Sequence, residues 1–253
     1  MWNGARRLGV RALKTHARRV RHVLSAWLAV MALGAVANAE IMSATYADPT
    51  TRYDHGILGD AIEFESLVLK LGDGRTVRIR LPDTRVFEDV APRLADVDGD
   101  GAPEVIAIET DLSKGARLSV YGAQGLIAAT PFIGRTHRWL APIGAADLDG
   151  DGQIELAYID RPHLARTLRV WRFQGGALVH LWDQQGLTNH KIGQDYISGG
   201  LRACEAKIEM ITVNRDWSRI MATSFDGTRT HSRDIGAYRG RASLVTALAC
   251  PSE

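Results

Sequence analysis

Hydrophobic residues after position 40 fall in short runs and do not follow the spacing of an amphipathic helix. The segments EVIAIE (104–109) and ELAYID (155–160) are apolar and contain β-branched side chains, a pattern typical of buried strands. The segment LVLKLGDGRTVRIRL (67–81) places two strand-like runs around a Gly-Asp-Gly turn, which indicates a β-hairpin. The pattern predicts an all-β chain, with no convincing amphipathic helix after residue 40.

The chain repeats itself at a spacing of 51 residues. The segment APRLADVDGDGAPEVIAI (91–108) is echoed by APIGAADLDGDGQIELAYI (141–159), and their aspartates lie 51 residues apart. A third, more divergent unit follows if Glu209 is aligned with Glu155, and a first unit begins near Tyr53. Each unit offers about four strand candidates, which favours a small β-propeller of about four blades.

Both echoed segments carry three aspartates on alternate residues, followed by a glycine and then a glutamate. Like charges at this spacing repel one another, and a loop that curls around a hard cation offsets the repulsion. Calcium takes oxygen ligands in irregular geometry, so the loops are predicted to bind about two calcium ions per chain. The candidate ligands are the side chains of Asp96, Asp98, Asp100 and Glu104 with the carbonyl of Ala102, and the side chains of Asp147, Asp149, Asp151 and Glu155 with the carbonyl of Gln153.

The loops differ from an EF-hand, whose bidentate glutamate occupies loop position 12. That position holds Ala107 in the first loop and Tyr158 in the second, and the acid stands at position 9 in both. An Asp/Gly-rich turn that binds no metal is the plain alternative. In the third unit the aspartate positions hold Leu201, Ala203 and Glu205, so we expect this unit to bind no metal.

These motifs resemble the FG-GAP/VCBS repeat family, the calcium-loop β-propeller repeats that are also found in integrin α-chain heads. The resemblance rests on the two acidic loops with their turn glycines, Gly101 and Gly152, and on the strand at 143–146 that enters the second loop. It covers about residues 88–175 and implies propeller blades with calcium in the loops between strands. Both loops end in glutamate, where the family often has aspartate.

Residues 1–39 have the features of a signal peptide. Seven Lys or Arg residues and no acid precede an apolar run from Val23 to Ala37, and the segment ends in Ala37-Asn38-Ala39. A basic region, an apolar core and an A-x-A cleavage site predict export, to the periplasm or as a secreted protein. The apolar run is shorter than the about 20 residues of a membrane helix, so we expect no transmembrane span in the mature chain.

Removal of this leader changes the charge of the chain. It takes away seven of the 31 basic residues and none of the 29 acidic ones, so the mature chain has 24 basic and 29 acidic residues. The positive charge of the full chain therefore belongs to the leader and gives no support for nucleic-acid binding. The mature length, residues 40–253, is sufficient for one well-buried domain, here an FG-GAP/VCBS-type β-propeller.

The chain has two cysteines, Cys204 and Cys250. Each stands at the end of an apolar, β-like stretch, ISGGLRAC and SLVTALAC. An even number of cysteines in an exported protein favours a disulfide between them. Two buried free thiols are the alternative.

A weaker pattern concerns polar residues near the beginning of successive units, which would lie on one rim of a propeller. The candidates for binding an anionic or sugar ligand there are His55, His137, Arg138, Trp139, His190 and Lys191. Solvated loop residues with ordinary turn contacts are the plainer interpretation. No G-x-S-x-G, phosphate-binding glycine loop, H-E-x-x-H or C-x-x-C motif occurs, so no catalytic residue is assigned.

The preferred hypothesis is an exported, non-enzymatic propeller with structural calcium that recognises a protein or glycan ligand of the cell envelope. An envelope enzyme that acts on polysaccharides, as a hydrolase or lyase, is the first alternative, and a purely structural subunit of an envelope complex is the second. A pocket lined by two or more carboxylates outside the calcium loops would favour the enzyme, whereas an aromatic and basic rim would favour binding.

Overall fold

The computed structural model describes residues 39–204 and 207–250, so the predicted signal peptide lies outside the described residues except for Ala39. Within these ranges the chain is all-β apart from one short helix and forms three antiparallel sheets. The strands of the first sheet are β1 (Ile41–Thr50), β2 (Glu63–Leu71), β3 (Thr76–Arg80), β4 (Arg85–Phe87), β5 (Arg93–Ala95), β6 (Glu104–Asp111), β7 (Gly115–Gly122) and β8 (Gly125–Ala129).

The first sheet joins two groups of strands. Its hydrogen-bonded order is β1-β2-β4-β6-β7-β8, with β3 paired to β2 and β5 paired to β6. The predicted hairpin at 67–81 is present as β2 and β3, and the strand pair closest to the turn is Lys70 with Thr76. Strands β4 and β5 pair with opposite ends of β6, so together they serve as one interrupted strand beside it.

The second and third sheets repeat the arrangement of a central strand between antiparallel neighbours. The second sheet has the order β12-β11-β10-β9, and the third has the order β13-β15-β16-β17 with β14 also paired to β15. Their strands are β9 (Leu140–Ala146), β10 (Glu155–Asp160), β11 (Thr167–Gln174), β12 (Ala177–Gln185), β13 (Leu187–Thr188), β14 (Gly200–Cys204), β15 (Lys207–Asn214), β16 (Arg219–Phe225) and β17 (Thr230–Ala237).

The sheets are held together by cores that they share. Every residue of β6 and β10 is buried, as their apolar runs predicted. Leu118 of the first sheet and Leu156 of the second belong to one core, while Leu168 of the second and Met210 of the third belong to another. Successive antiparallel sheets that pack on one another in this way are consistent with a β-propeller-like fold.

The acidic loops connect the first two strands of successive units. The first loop runs from β5 to β6, closed by the pair Ala95 and Glu104, and the second runs from β9 to β10, closed by Ala146 and Glu155. The third sheet has no room for such a loop, because only two residues separate β14 from β15. The candidate positions Leu201 and Ala203 lie on β14, and Glu205 lies outside the described residues.

The C-terminal stretch SLVTALAC was expected to be β-like, and this expectation is wrong, because most of it lies in helix α1 (Arg241–Leu248). Leu244 is the one fully buried residue of α1, and it shares a core with Ile211 and Val213 of β15. A single buried side chain gives no periodic stripe, which is why the hydrophobic pattern did not reveal this helix. Among the described residues, no helix has the length and apolar character needed to span a bilayer.

The expected disulfide is present between Cys204, the last residue of β14, and Cys250, which follows α1. Their Cα atoms lie 5.5 Å apart. Beside the bond, Nη1 of Arg202 donates to the carbonyl of Ala247 at 2.8 Å and satisfies one of the free carbonyls at the end of α1. Both contacts tie the C-terminal segment to the third sheet.

Replacing both cysteines by serine should destabilise the protein by about 4 kcal/mol, because the bridge restricts the unfolded chain across a separation of 46 residues. Urea unfolding of the oxidised wild type and of Cys204→Ser/Cys250→Ser measures the difference. The reduced wild type is the control and should unfold together with the double variant. Equal midpoints for the oxidised wild type and the double variant would contradict this prediction.

Candidate metal centre and ligand pocket

The first acidic loop is held in a curled shape by its own carboxylates. Oδ1 of Asp96 accepts the N–H of Gly99 at 2.8 Å, and its Oδ2 accepts the N–H of Gly101 at 3.0 Å. Gly101 has a φ of 91°, a left-handed conformation in which a side chain is strained, so the turn after the aspartates requires glycine. The sequence of aspartates and glycines thus encodes a compact loop and not an extended strand.

The second loop repeats this arrangement. Oδ1 of Asp147 accepts the N–H of Gly150 at 2.7 Å, and its Oδ2 accepts the N–H of Gly152 at 2.9 Å. Gly152 has a φ of 86°, close to the value at the matching glycine of the first loop. The repeated sequence therefore produces twice the same hydrogen bonds from backbone N–H groups to the first aspartate of the loop.

Three carboxylates converge in each loop. Asp100 and Asp151 lie outside these groups, and their Oδ1 atoms accept the N–H groups of Ala102 at 2.8 Å and Gln153 at 2.9 Å. Closely spaced carboxylate oxygens fit a hard divalent cation such as calcium. The converging oxygens lie within 4.8 Å of one another in two groups, Asp96 with Asp98 and Glu104, and Asp147 with Asp149 and Glu155.

Glu104 and Glu155 connect each loop to a buried central strand. Each is the first residue of its strand, and its Oε2 accepts a loop N–H, that of Val97 at 2.8 Å or of Leu148 at 2.9 Å. Burial raises the pKa of both glutamates above its ordinary value. A cation in the loop would favour the charged carboxylate and offset this cost of burial.

The second loop also contacts a cation that lies outside the repeated motif. Arg172 of β11 donates from Nε to Oε1 of Glu155 at 2.6 Å and from Nη2 to Oδ2 of Asp149 at 2.7 Å. Its Nη1 lies 2.9 Å from Oδ2 of Asp151. Arg172 pairs with Glu155 in the register of β10 and β11, so strand pairing places it there.

A pocket of about 240 Å³ lies elsewhere on the protein, where loops from several units meet. Trp139 is 2% exposed, and its Nε1 donates to the carbonyl of Glu88 at 2.7 Å. No carboxylate is among the described side chains that line this pocket. The lining is basic, aromatic and apolar, and consists of His55, Ile57, His137, Arg138, Trp139, Arg161, His163, Leu164 and Ile192.

The structure brings four of the six candidate ligand-binding residues into this pocket: His55, His137, Arg138 and Trp139. His190 is fully buried with its ring 4.9 Å from that of Trp139, so its expected place on an open rim is wrong. Lys191 is exposed but lies outside the lining, with its Nζ 4.6 Å from the ring centre of Trp217. The candidates therefore divide into a pocket group, a buried support and a separate surface residue.

Two further pocket residues, Arg161 and His163, were not singled out in the sequence. They follow β10 directly, and polar residues in the loop after a buried strand are a usable signal for a site. Nε2 of His163 lies 3.0 Å from Nδ1 of His190, so the buried histidine holds an imidazole of the lining. Arg161 forms an ion pair with Asp160, because its Nε and Nη2 donate to the two carboxylate oxygens at 2.9 and 2.8 Å.

Two lining residues have unusual backbone conformations. Of the five described non-glycine residues with a positive φ, His137 at 53° and Arg161 at 46° line the pocket, in a region that residues other than glycine seldom adopt. Strain of this kind costs of order 1–3 kcal/mol per residue and tends to cluster at functional sites. The rest of the fold holds two lining residues in strained conformations, which supports a functional role for the pocket.

His55 is held by a buried acid. Its Nδ1 lies 2.5 Å from Oε1 of Glu88, whose Oε2 accepts the hydroxyl of Thr110 at 2.6 Å. Burial raises the pKa of Glu88 to about 8. Burial, together with the charge of Arg138, lowers the pKa of His55 to about 4. The contact with Glu88 gives His55 a fixed orientation at the pocket.

Comparison with known proteins identifies the repeat. The family model of the FG-GAP-like repeat matches residues 96–158, from the first aspartate of the first loop into β10. The match therefore covers both acidic loops and one full spacing between them. Among curated proteins, no sequence matches this chain.

Glu63 is a second buried acid, near Glu88. It is 3% exposed, and burial, with the charges of Glu88 and Asp60, raises its pKa from 4.5 to about 9. A pKa that is higher in the folded protein means that the folded chain binds this proton more tightly than the unfolded chain. The resulting stability is complete below pH 4.5 and is lost as the pH rises through about 9.

The free energy of unfolding of the wild type should therefore fall between about pH 6 and pH 9, and one such group contributes up to about 1.4 kcal/mol per pH unit to this fall. Glu63→Gln removes the group, so its free energy of unfolding should fall less steeply over the same range. Glu88 adds its own decline up to about pH 8, so the flattening is partial. Urea unfolding across this pH range measures the slope. Glu65→Gln is the control, because Glu65 lies on the same strand and pairs with Arg52 at 3.1 Å. The same slope in Glu63→Gln and wild type would rule out the effect.

Proposed function

We propose that this chain, which contains an FG-GAP-like repeat, is an exported, calcium-stabilised protein of β-propeller type that binds a ligand of the cell envelope without catalysing a reaction. The single observation that carries the ligand-binding role is the strained pocket with a basic, aromatic and apolar lining. The other elements of the proposal each have separate support.

The proposed propeller has four blades. One blade comprises β1–β3 and a second comprises β4–β8, which are joined in the first sheet by the pair Phe64 and Phe87. The second and third sheets supply the other two. The shared cores between neighbouring sheets support blade-to-blade packing.

Export is supported by two features of the chain. The basic and apolar segment at 1–39 has the order of a signal peptide, and cleavage after Ala39 leaves a chain that begins at Glu40. Disulfides such as that between Cys204 and Cys250 form and persist in oxidising compartments, for example the periplasm or the cell exterior. We therefore propose that the mature protein works in the periplasm or as a secreted protein.

Calcium has a structural role in this proposal. Each loop joins two strands of one blade, and a metal bound to its carboxylates would fix the loop to the buried glutamate at the start of the central strand. Neither loop contributes a residue to the lining of the ligand pocket. We therefore expect about two calcium ions per chain at saturation, which act on stability and not directly on ligand contact.

The pocket favours an anionic ligand. Arg138 places a cation at the pocket, and its Nη1 donates to the carbonyl of His137 at 2.6 Å, which orients the guanidinium. His137, with a 47% exposed side chain, supplies an aromatic ring, while Leu164 and Ile192 are 62% and 69% exposed and offer apolar contact at the edge. An acidic glycan or a protein segment with acidic and apolar side chains has the matching chemistry.

The pair of His55 and Glu88 favours a second candidate, an envelope enzyme that acts on polysaccharides. An imidazole oriented by the side chain of a buried acidic residue is a common arrangement of a general base. A hydrolase or lyase would also need an acid or a second base that faces the substrate. Since no described carboxylate lines the pocket, binding without catalysis is the preferred function.

Calcium at a hundredfold excess over its Kd should stabilise the mature wild type by about 2.7 kcal/mol for each site that it fills. Asp98→Ala should remove the share that comes from the first loop, because it deletes one of the three converging carboxylates. Thermal unfolding with and without calcium measures this share.

Asp83→Ala is the matched control, since Asp83 has an 88% exposed side chain and lies outside both loops. It should keep the full calcium response. A wild-type melting temperature that does not change with calcium, at concentrations where calorimetry shows bound metal, would contradict the structural role.

Arg138→Gln should weaken the binding of an anionic probe, oligogalacturonate, about tenfold or more, since a charged hydrogen bond contributes about 1.5–3 kcal/mol. A neutral dextran oligosaccharide should bind more weakly than oligogalacturonate to the wild type. Isothermal titration calorimetry of both probes measures the difference.

Arg135→Gln is the control for charge, because Arg135 is exposed near Arg138 in the chain but does not line the pocket. It should leave affinity unchanged. Equal binding of the neutral and acidic probes, or no effect of Arg138→Gln, would contradict an anionic ligand in this pocket. Turnover of oligogalacturonate that is lost in Glu88→Gln would favour the enzyme instead.

A further inference from the structure

The two acidic loops, alike in sequence and in backbone, differ in the residue that the adjacent strand places beside them. Arg172 of β11 pairs with Glu155, the glutamate of the second loop. In the first sheet, Tyr121 pairs with Val105, which places Gly122 beside Glu104 at the equivalent position. The second loop therefore has a guanidinium where the first has only a hydrogen atom for a side chain.

Charge pairing differs accordingly. In the part of the chain that the structure describes, Arg172 makes three ion pairs with the second loop, and no basic side chain pairs with a carboxylate of the first. The guanidinium reaches Asp149, Asp151 and Glu155 at once. Two of these three, Asp149 and Glu155, are also carboxylates that converge on the candidate metal position.

The second loop is also the more enclosed of the two. A Cβ added at Gly227 would lie 2.9 Å from Oδ2 of Asp149, so the turn between β16 and β17 lies against that carboxylate. The side chain of Asp149 is 6% exposed and that of Arg172 is 15% exposed, whereas Asp98 of the first loop is exposed. Enclosed carboxylates need a close counter-charge, and the guanidinium supplies one that is part of the chain.

We infer that Arg172 is a built-in counter-ion of the second loop, so that the first loop is the high-affinity calcium site. A metal that enters the second loop has to compete with Arg172 for oxygens of Asp149 and Glu155. In the first loop the same metal meets three converging carboxylates, and no basic side chain among the described residues pairs with them. The inference rests on the proposed calcium binding, and it replaces two equal sites by one strong and one weak site.

Titration of the metal-free protein with calcium chloride, with one loop disabled at a time, separates the two affinities. Asp149→Ala leaves the first loop and should keep the tight Kd of the wild type. Asp98→Ala leaves the second loop and should bind calcium about tenfold or more weakly. Adding Arg172→Gln to Asp98→Ala should recover most of this difference, because it removes the competing charge.

Arg169→Gln in the Asp98→Ala background is the matched control. Arg169 lies on the same strand, β11, but pairs with Asp160 and Asp183, which are outside the loops. Its replacement makes the same change of charge and should leave the Kd of the second loop unchanged. Circular dichroism with and without calcium establishes that each variant is folded.

Arg172→Lys provides a second variant should the glutamine variant fail to fold. A lysine ammonium keeps the charge but cannot reach three carboxylates in the planar fork of a guanidinium, so the affinity for calcium should be intermediate. The same Kd for Asp98→Ala and Asp149→Ala, or no gain in calcium affinity from either change at Arg172, would overturn the inference and leave the proposed function in place. Absence of calcium binding at millimolar concentration in every variant would overturn the proposed calcium role and this inference together.

Discussion

Neutralisation of carboxylates on the buried central strands is the constraint on which the three sheets depend. A buried carboxylate without a partner is costly, and several of these acids have a cation on a neighbouring strand. Glu109 of β6 accepts from Arg85 and Arg117, and Glu209 of β15 accepts from Arg202. Because the partners come from adjacent strands, strand register and charge pairing support one another at these positions.

The acidic loops extend this constraint to the edge of the sheets. Glu104 and Glu155 are buried where they begin their strands, and each accepts a hydrogen bond from its own loop. Internal hydrogen bonds shape the loops but cannot cancel their charge. Arg172 offsets part of the negative charge of the second loop. Among the described residues no basic side chain pairs with the first loop, and the proposed calcium ion would supply its counter-charge. The presence of Arg172 beside only one of the two loops therefore bears on the proposed role of calcium in stability.

Signals that are local in the chain could be predicted from the sequence. The buried strands β6 and β10 follow from apolar runs, and the acidic loops follow from the spacing of aspartates and glycines. Arg172 could not be predicted, because its place opposite Glu155 depends on the register of two strands. The pocket is a similar case, since folding alone brings together His55, His137 and His163 from three different loops. The burial of His190 could not be predicted either, because residues distant in the chain surround it.

The central claim is that the first loop holds calcium. A crystal structure of the mature protein grown in millimolar calcium, with an anomalous difference map, tests it most directly. The expected result is a peak within coordination distance of Asp96, Asp98 and Glu104, at about 2.3–2.6 Å from their oxygens. Clear density for an ordered first loop with no anomalous peak between these carboxylates would contradict it.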